Sequence, residues 1–163
     1  MRKVILIDDS WERGWGEVFK VIFQQVYKDL IVFDVHTDIT NEAIDKCYQD
    51  NPGAVFIQDN QLGKDVKTGI FWLTKYGRTH CIIMHTADVH QGYAAGQLGA
   101  RYFMTKDNPE KPKSGEEMRE MIIEFHKTII KHFGLAPELM WVVYMQMGML
   151  NDMEEEVKDE PKY

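Results

Sequence analysis

The chain has 163 residues, 44% of them hydrophobic and 28% charged, with a formal net charge of -7. That balance fits one globular domain with a short extension rather than a disordered chain, and the acidic excess argues against electrostatic binding to nucleic acid or anionic lipid. No apolar run approaches the roughly 18 residues of a membrane span, and Cys47 and Cys81 lack metal or disulfide spacing, so a cytoplasmic protein is expected.

Met1-Arg2-Lys3 is basic, but Asp8-Asp9 cuts the following apolar run too short for a signal peptide, so the fold is expected to begin here. The strand candidates are Lys3 to Ile7, Leu30 to Val35, Ala54 to Ile57, Cys81 to Met84 and Tyr102 to Met104. They are short, nearly continuous in apolar residues and β-branched, which is how parallel strands buried on both faces read. Between them, Trp15 to Tyr27 carries Val18, Phe19, Ile22, Phe23 and Val26 at helical spacing; Asn41 to Gln49, Ile70 to Tyr76 and Gln91 to Leu98 fill the other gaps. The right-handed crossover rule folds five strands alternating with helices into an α/β, doubly wound, five-stranded parallel sheet.

Ser114-Gly115-Glu116-Glu117 has capping-box form and opens an apolar stripe of Met118, Ile122, Phe125, Ile129 and Phe133 that stops at Gly134. This is the fifth helix. Beyond it, Leu139 to Leu150 is apolar on nearly all faces and precedes an acidic tail. Such a run cannot stand alone in water, so an extra C-terminal helix is expected to dock on its own domain or, the favoured alternative, on a second copy, as a homodimer through 136–157. The expected division is 1–134 for the domain and 135–163 for the extension.

In an open parallel α/β sheet, ligands bind beyond the carboxyl ends of the strands. The residues standing there are Asp8 and Asp9 after the first strand, Asp59 after the third, Thr86 after the fourth and Lys106 after the fifth. Three carboxylates crowded in a partly dry cleft repel one another, and a hard divalent cation such as Mg²⁺ relieves that cost. A carboxylate left free can attack phosphorus while the cation, Lys106 and Thr86 meet the developing charge. Singly, each residue has an ordinary reading: an Asp pair after a strand as a turn or cap, Asp59-Asn60 as a turn, Thr86 as an N-cap, Lys106 as a solvated charge. Five suitable residues in order after the first, third, fourth and fifth strands favour the phosphoryl site. His85, beside Thr86, reads as a structural strand-end histidine.

The segments Ile-Leu-Ile-Asp8-Asp9, Val-Phe-Ile-Gln-Asp59, Ile-Ile-Met-His-Thr86-Ala87 and Gly99-Ala100-Arg-Tyr-Phe103-Met-Thr-Lys106 resemble the four signatures of response-regulator receiver domains over residues 1 to 133. The resemblance implies a flavodoxin-like sheet of order 2-1-3-4-5. It implies Asp59 as phosphoacceptor, Mg²⁺ held by Asp8, Asp9, Asp59 and the carbonyl of Gln61, Lys106 and Thr86 as phosphoryl-binding groups, and Phe103 as the switch aromatic. It also implies a sensor histidine kinase or histidine phosphotransfer protein upstream, a downstream protein target, and a signalling switch rather than a turnover enzyme. About 57 residues follow Lys106, about a third of them in the fifth helix, so a stand-alone receiver without an output domain is expected.

Two departures from the family pattern stand out. Proline follows the lysine by three residues, in Lys106-Asp107-Asn108-Pro109, and the stretch from Asp59 to Gly69 is about two residues longer than usual and lacks the usual proline. They keep open an alternative, a pseudo-receiver that serves as an interaction module without being switched by phosphorylation.

Overall fold

The computed structural model describes residues 1–106 and 110–158, with side chains as far as residue 148. Residues 1–113 and 114–163 form two compact units. In the first, strands β1 (Lys3–Ile7), β2 (Val32–Val35), β3 (Val55–Gln58), β4 (Cys81–Thr86) and β5 (Tyr102–Thr105) alternate with helices α1 (Trp15–Tyr27), α2 (Asn41–Asp50), α3 (Gly69–Tyr76) and α4 (Gly92–Gln97). The five strands make one parallel sheet in the order β2-β1-β3-β4-β5. Fold class and strand order are those expected from the sequence.

Every residue of β3 and β4 is buried, as a near-continuous apolar run at the centre of a parallel sheet requires. Register then fixes the strand ends: Ile7 lies opposite Gln58, Gln58 opposite Met84, and Thr86 opposite Thr105. The next residue along β1, β3 and β5 is Asp8, Asp59 and Lys106, so these groups share one edge of the sheet by strand length alone. Beneath that edge, Ile5, Ile7, Ile44, Tyr48, Phe56, Trp72, Leu73, Ile82 and Met84 form a core.

Local chemistry sets the helix starts. Thr40 Oγ1 accepts from the Ala43 N–H at α2, and Thr68 Oγ1 from the Phe71 N–H at α3, each satisfying a donor that the first turn leaves open. Because Thr68 is the cap, α3 begins at Gly69. Strand β2 begins at Val32 rather than Leu30, because the chain first turns through Lys28 at φ 47 and the Leu30 N–H closes onto the Tyr27 carbonyl.

The second unit is a helix pair. α5 (Gly115–Phe133) is capped by Ser114, whose hydroxyl accepts from the Glu117 N–H. It ends at Gly134, left-handed at φ 60, with its N–H on the carbonyls of Ile130 and Lys131, the glycine stop read from the sequence. α6 (Leu139–Lys158) packs against α5. Met140, Val143 and Met147 are buried at helical spacing, whereas Trp141, Tyr144 and Met145 are 71%, 47% and 66% exposed. Among the described residues, no helix is long and apolar enough to cross a membrane.

Candidate functional site

Asp8 is completely buried at the end of β1, and Asp59 is 4% exposed at the end of β3. Strand register forces both there, since the Asp59 N–H closes the ladder onto the Ile7 carbonyl at 2.9 Å. The second acid of the pair, Asp9, is exposed in the following turn. One carboxylate oxygen from each of Asp8, Asp9 and Asp59 lies within 4.8 Å of the others, a cluster able to hold a metal ion.

Lys106 bridges two of the three acids. Its Nζ lies 2.8 Å from Asp8 Oδ2 and 3.3 Å from Asp59 Oδ2. The Asp8 contact is close in distance but outside hydrogen-bond angles, so this buried oxygen has no directed donor. The other oxygens are committed: Asp8 Oδ1 accepts from the Ser10 N–H at 2.7 Å and Asp59 Oδ1 from the Asn60 N–H at 2.8 Å. The two remaining oxygens, Asp8 Oδ2 and Asp59 Oδ2, thus share one ammonium.

Electrostatics follow from this crowding. Burial first, and the charge of Asp8 second, push the Asp59 carboxyl up to about 7, against the opposing pull of Lys106 and the Asn60 N–H. One ammonium offsets one of three carboxylates, leaving a formal deficit of two charges. A divalent oxygen-seeking cation matches that donor set in charge and in ligand type, and the undirected, buried Asp8 Oδ2 is a lone pair in need of such a partner.

Thr86 is buried at the end of β4, next to β5, and its carbonyl accepts the Lys106 N–H at 2.9 Å. Its hydroxyl accepts the Asp88 N–H at 3.2 Å, a turn contact; the helical turn that follows is capped by Asp88, whose carboxylate accepts the His90 N–H, rather than by Thr86. Phe103 is partly buried against the core, with its ring 3.4 Å from where a Cβ on Gly92 would stand. Gln61 is exposed in the loop after Asp59. Its lengthened loop is tied down: Asn41 Nδ2 donates to the Asp65 carbonyl at 3.1 Å and Asn41 Oδ1 accepts the Lys67 N–H at 2.7 Å. The other departure from the family pattern, residues 107–109, lies outside the described residues.

Two contributors, Lys113 and Trp15, carried no assigned role in the sequence reading. Lys113 Nζ donates to the carbonyls of Thr105 and Lys106 at 3.0 and 3.3 Å, tethering the end of β5. Trp15, at the start of α1, places its ring 5.8 Å from Lys106 Nζ, a cation over an aromatic face. His85 packs edge-on against Trp15 at 4.6 Å and Phe19 at 5.2 Å. Burial, then the charge of Lys106, hold that imidazole down at about 3 despite the opposing pull of Asp8, so it is a neutral wall, in line with the structural reading. A lysine after a strand or a tryptophan opening a helix carries no distinctive spacing, so only the fold links them to Lys106.

No protein-family model matches the chain, and no curated protein matches its sequence. Solved structures do. A response regulator receiver protein from Burkholderia phymatum is 19% identical over 83% of this chain and 98% of that one, with a TM-score of 0.52. A receiver domain protein from Clostridium thermocellum is 18% identical over 80% and 96%, with a TM-score of 0.51. The response regulator TrrA from Thermotoga maritima, solved in complex with Mg²⁺ and BeF, is 14% identical over 78% and 99%, with a TM-score of 0.50. By strand order and by likeness to these structures, the chain has the fold of response-regulator receiver domains.

Proposed function

We propose that the protein is a stand-alone receiver of a two-component phosphorelay, accepting a phosphoryl group on Asp59 and signalling by protein contact. The observation that carries this reading is the placement of Lys106 between Asp8 Oδ2 and Asp59 Oδ2, at 2.8 and 3.3 Å. Asp59 Oδ2 attacks phosphorus, the bond from phosphorus to the donor's nitrogen or oxygen breaks, and an acyl phosphate remains on Asp59. Lys106 meets the equatorial oxygens, and Thr86 is placed to exchange its Asp88 turn contact for the phosphoryl group. Asp8, Asp9, Asp59 and the Gln61 carbonyl would hold Mg²⁺, which supplies charge neutralisation at the transferring group; the acidic cluster supports this, as does the Mg²⁺ complex of TrrA. Phe103 is assigned as the switch aromatic.

The donor is a histidine kinase or histidine phosphotransfer protein, and the receiver spans 1–134, with α5 as its last element and 135–163 as an extension. The unpaired cysteines Cys47 and Cys81 favour a reducing cytoplasm. Incubation with acetyl phosphate and Mg²⁺ is expected to add the mass of one phosphoryl group to the intact protein. No gain at concentrations that suffice for ordinary receivers would favour the pseudo-receiver.

Magnesium binding has its own readout. Titration is expected to quench or shift Trp15 fluorescence, because a cation among the three acids displaces the ammonium now 5.8 Å from that ring. Asp9→Asn should weaken binding about tenfold or more, since it removes a charged ligand from a site that retains several waters. Unchanged affinity in that variant would remove Asp9 from the metal shell.

We further propose that α6 pairs with a second copy through 136–157. Trp141, Tyr144 and Met145 line one exposed side of α6, and burying each side chain is worth roughly 1.5 to 3 kcal/mol. Light scattering is expected to give a dimer for the full chain and a monomer after truncation at Gly134. A monomeric full chain would refute the pairing.

A further inference from the structure

The side chain immediately before Asp59 is polar and wholly buried: Gln58 has no exposed surface. A buried amide is costly unless its donors and acceptor are used. Gln58 Nε2 donates to the Asp59 carbonyl at 2.9 Å, and Gln58 Oε1 accepts from the Tyr48 hydroxyl at 2.6 Å. Tyr48 is itself fixed. Its ring stacks on Phe56 at 4.1 Å and Tyr76 at 4.7 Å, and its carbonyl accepts from His80 Nε2 at 2.8 Å. Side chain, ring and backbone thus form one buried chain from α2 to the peptide that leaves Asp59.

That peptide is planar, and in its trans form the Asp59 carbonyl and the Asn60 N–H point in opposite directions. Holding the carbonyl toward Gln58 therefore aims the Asn60 N–H the other way, where it meets Asp59 Oδ1 at 2.8 Å. One carboxylate oxygen is occupied, and Oδ2 is left facing Lys106. We propose that Gln58, braced by Tyr48, is a positioning residue that selects which oxygen of Asp59 is presented for phosphoryl transfer. It acts through the 59–60 peptide and touches none of the reacting atoms. The proposal rests on the reading of Asp59 as the acceptor.

The test combines two measurements on the full-length protein: the rate of phosphorylation by acetyl phosphate with Mg²⁺, and the chemical shift and hydrogen exchange of the Asn60 amide by NMR. Gln58→Leu keeps the bulk and removes both hydrogen bonds. It should lower the rate at saturating donor about tenfold, with little change in the donor concentration giving half-maximal rate, because orientation rather than donor binding is lost. The Asn60 amide should shift upfield and exchange faster while amides in β1 and β4 keep their protection. Tyr48→Phe removes one hydroxyl and should give the same signature at about threefold, and the double variant should be no slower than Gln58→Leu, since both act through one contact. If Gln58→Leu fails to fold, Tyr48→Phe decides. An unchanged rate, or a slower rate with the Asn60 amide unmoved, overturns the positioning role. If the wild type accepts no phosphoryl group, the acceptor reading fails instead, and the Asn60 amide alone decides whether Gln58 orients this carboxylate.

Discussion

Asp59→Asn is expected to reduce phosphoryl acceptance from acetyl phosphate by at least about a thousandfold, to a level intact-mass measurement does not detect. An amide is a far weaker nucleophile than a carboxylate and cannot form the same acyl phosphate. Among the described residues, neither of the other two acids of the cluster is free to take over. Asp8 Oδ1 is held by the Ser10 N–H, while its Oδ2 is completely buried at the Lys106 ammonium. Asp9 is exposed outside the Lys106 bridge. The variant should fold as the wild type does, since Asn retains an oxygen for the Asn60 N–H and is close in volume. A normal melting temperature with no mass gain is the expected pair of results, and a full mass gain would place the acceptor elsewhere.

Gly69→Ala should be the most damaging small substitution near the site. A Cβ at this position would stand 2.2 Å from the Asp59 carbonyl oxygen and 2.9 Å from both the Asp59 carbonyl carbon and Asn60 Cα. All three are backbone atoms, so no side-chain rotation relieves the clash. Nor can α3 simply back away, because the Gly69 N–H donates to the Asn60 carbonyl at 2.8 Å and the Ile70 N–H to Asn60 Oδ1 at 3.1 Å. Overpacking of this kind costs about 3 kcal/mol, or roughly 6 to 12 °C in melting temperature for a chain of this size. Thermal unfolding followed by circular dichroism checks it. A variant melting within about 2 °C of the wild type would mean that α3 and Asp59 are less tightly apposed than the structure has them.

Much of this site was legible because it depends on strand order and strand length, which apolar runs report well. Asp8, Asp59 and Lys106 each follow a short run of core residues, and the parallel register brings them to one edge whatever their distance in sequence. The ends of α5 were legible for a local reason: Ser114 and Gly134 do their capping within a few residues of themselves. Gln58 was visible only as part of a motif, since one polar residue closing an apolar run reads as the run's end. Its partner Tyr48 is ten residues away in another element, and only packing pairs them. The same holds for Lys113, which reaches back across residues 107–109 to the end of β5. Residue type announces a carboxylate or an ammonium, but the groups that orient them are ordinary residues defined by contact. The exposed side of α6 stands between these cases. Its apolar run predicted a helix, and the burial of Met140, Val143 and Met147 accounts for only one face.

Lys106 also makes a quantitative statement about the metal. Its ammonium occupies the space between Asp8 and Asp59 that a cation would share. Lys106→Ala should therefore tighten Mg²⁺ binding several-fold, because a like charge is removed, while permitting phosphorylation and weakening the conformational response to it. Looser binding in Lys106→Ala would mean that the lysine orders the acids more than it competes with the metal.

The most direct measurement traps the modification itself. The wild-type protein, treated with acetyl phosphate and Mg²⁺, is reduced with borohydride, which converts an acyl phosphate on aspartate to homoserine, and is then digested and mapped by mass spectrometry. The phosphoacceptor reading predicts homoserine at residue 59 alone, abolished by chelating the Mg²⁺; no conversion, or conversion at another residue, would contradict it.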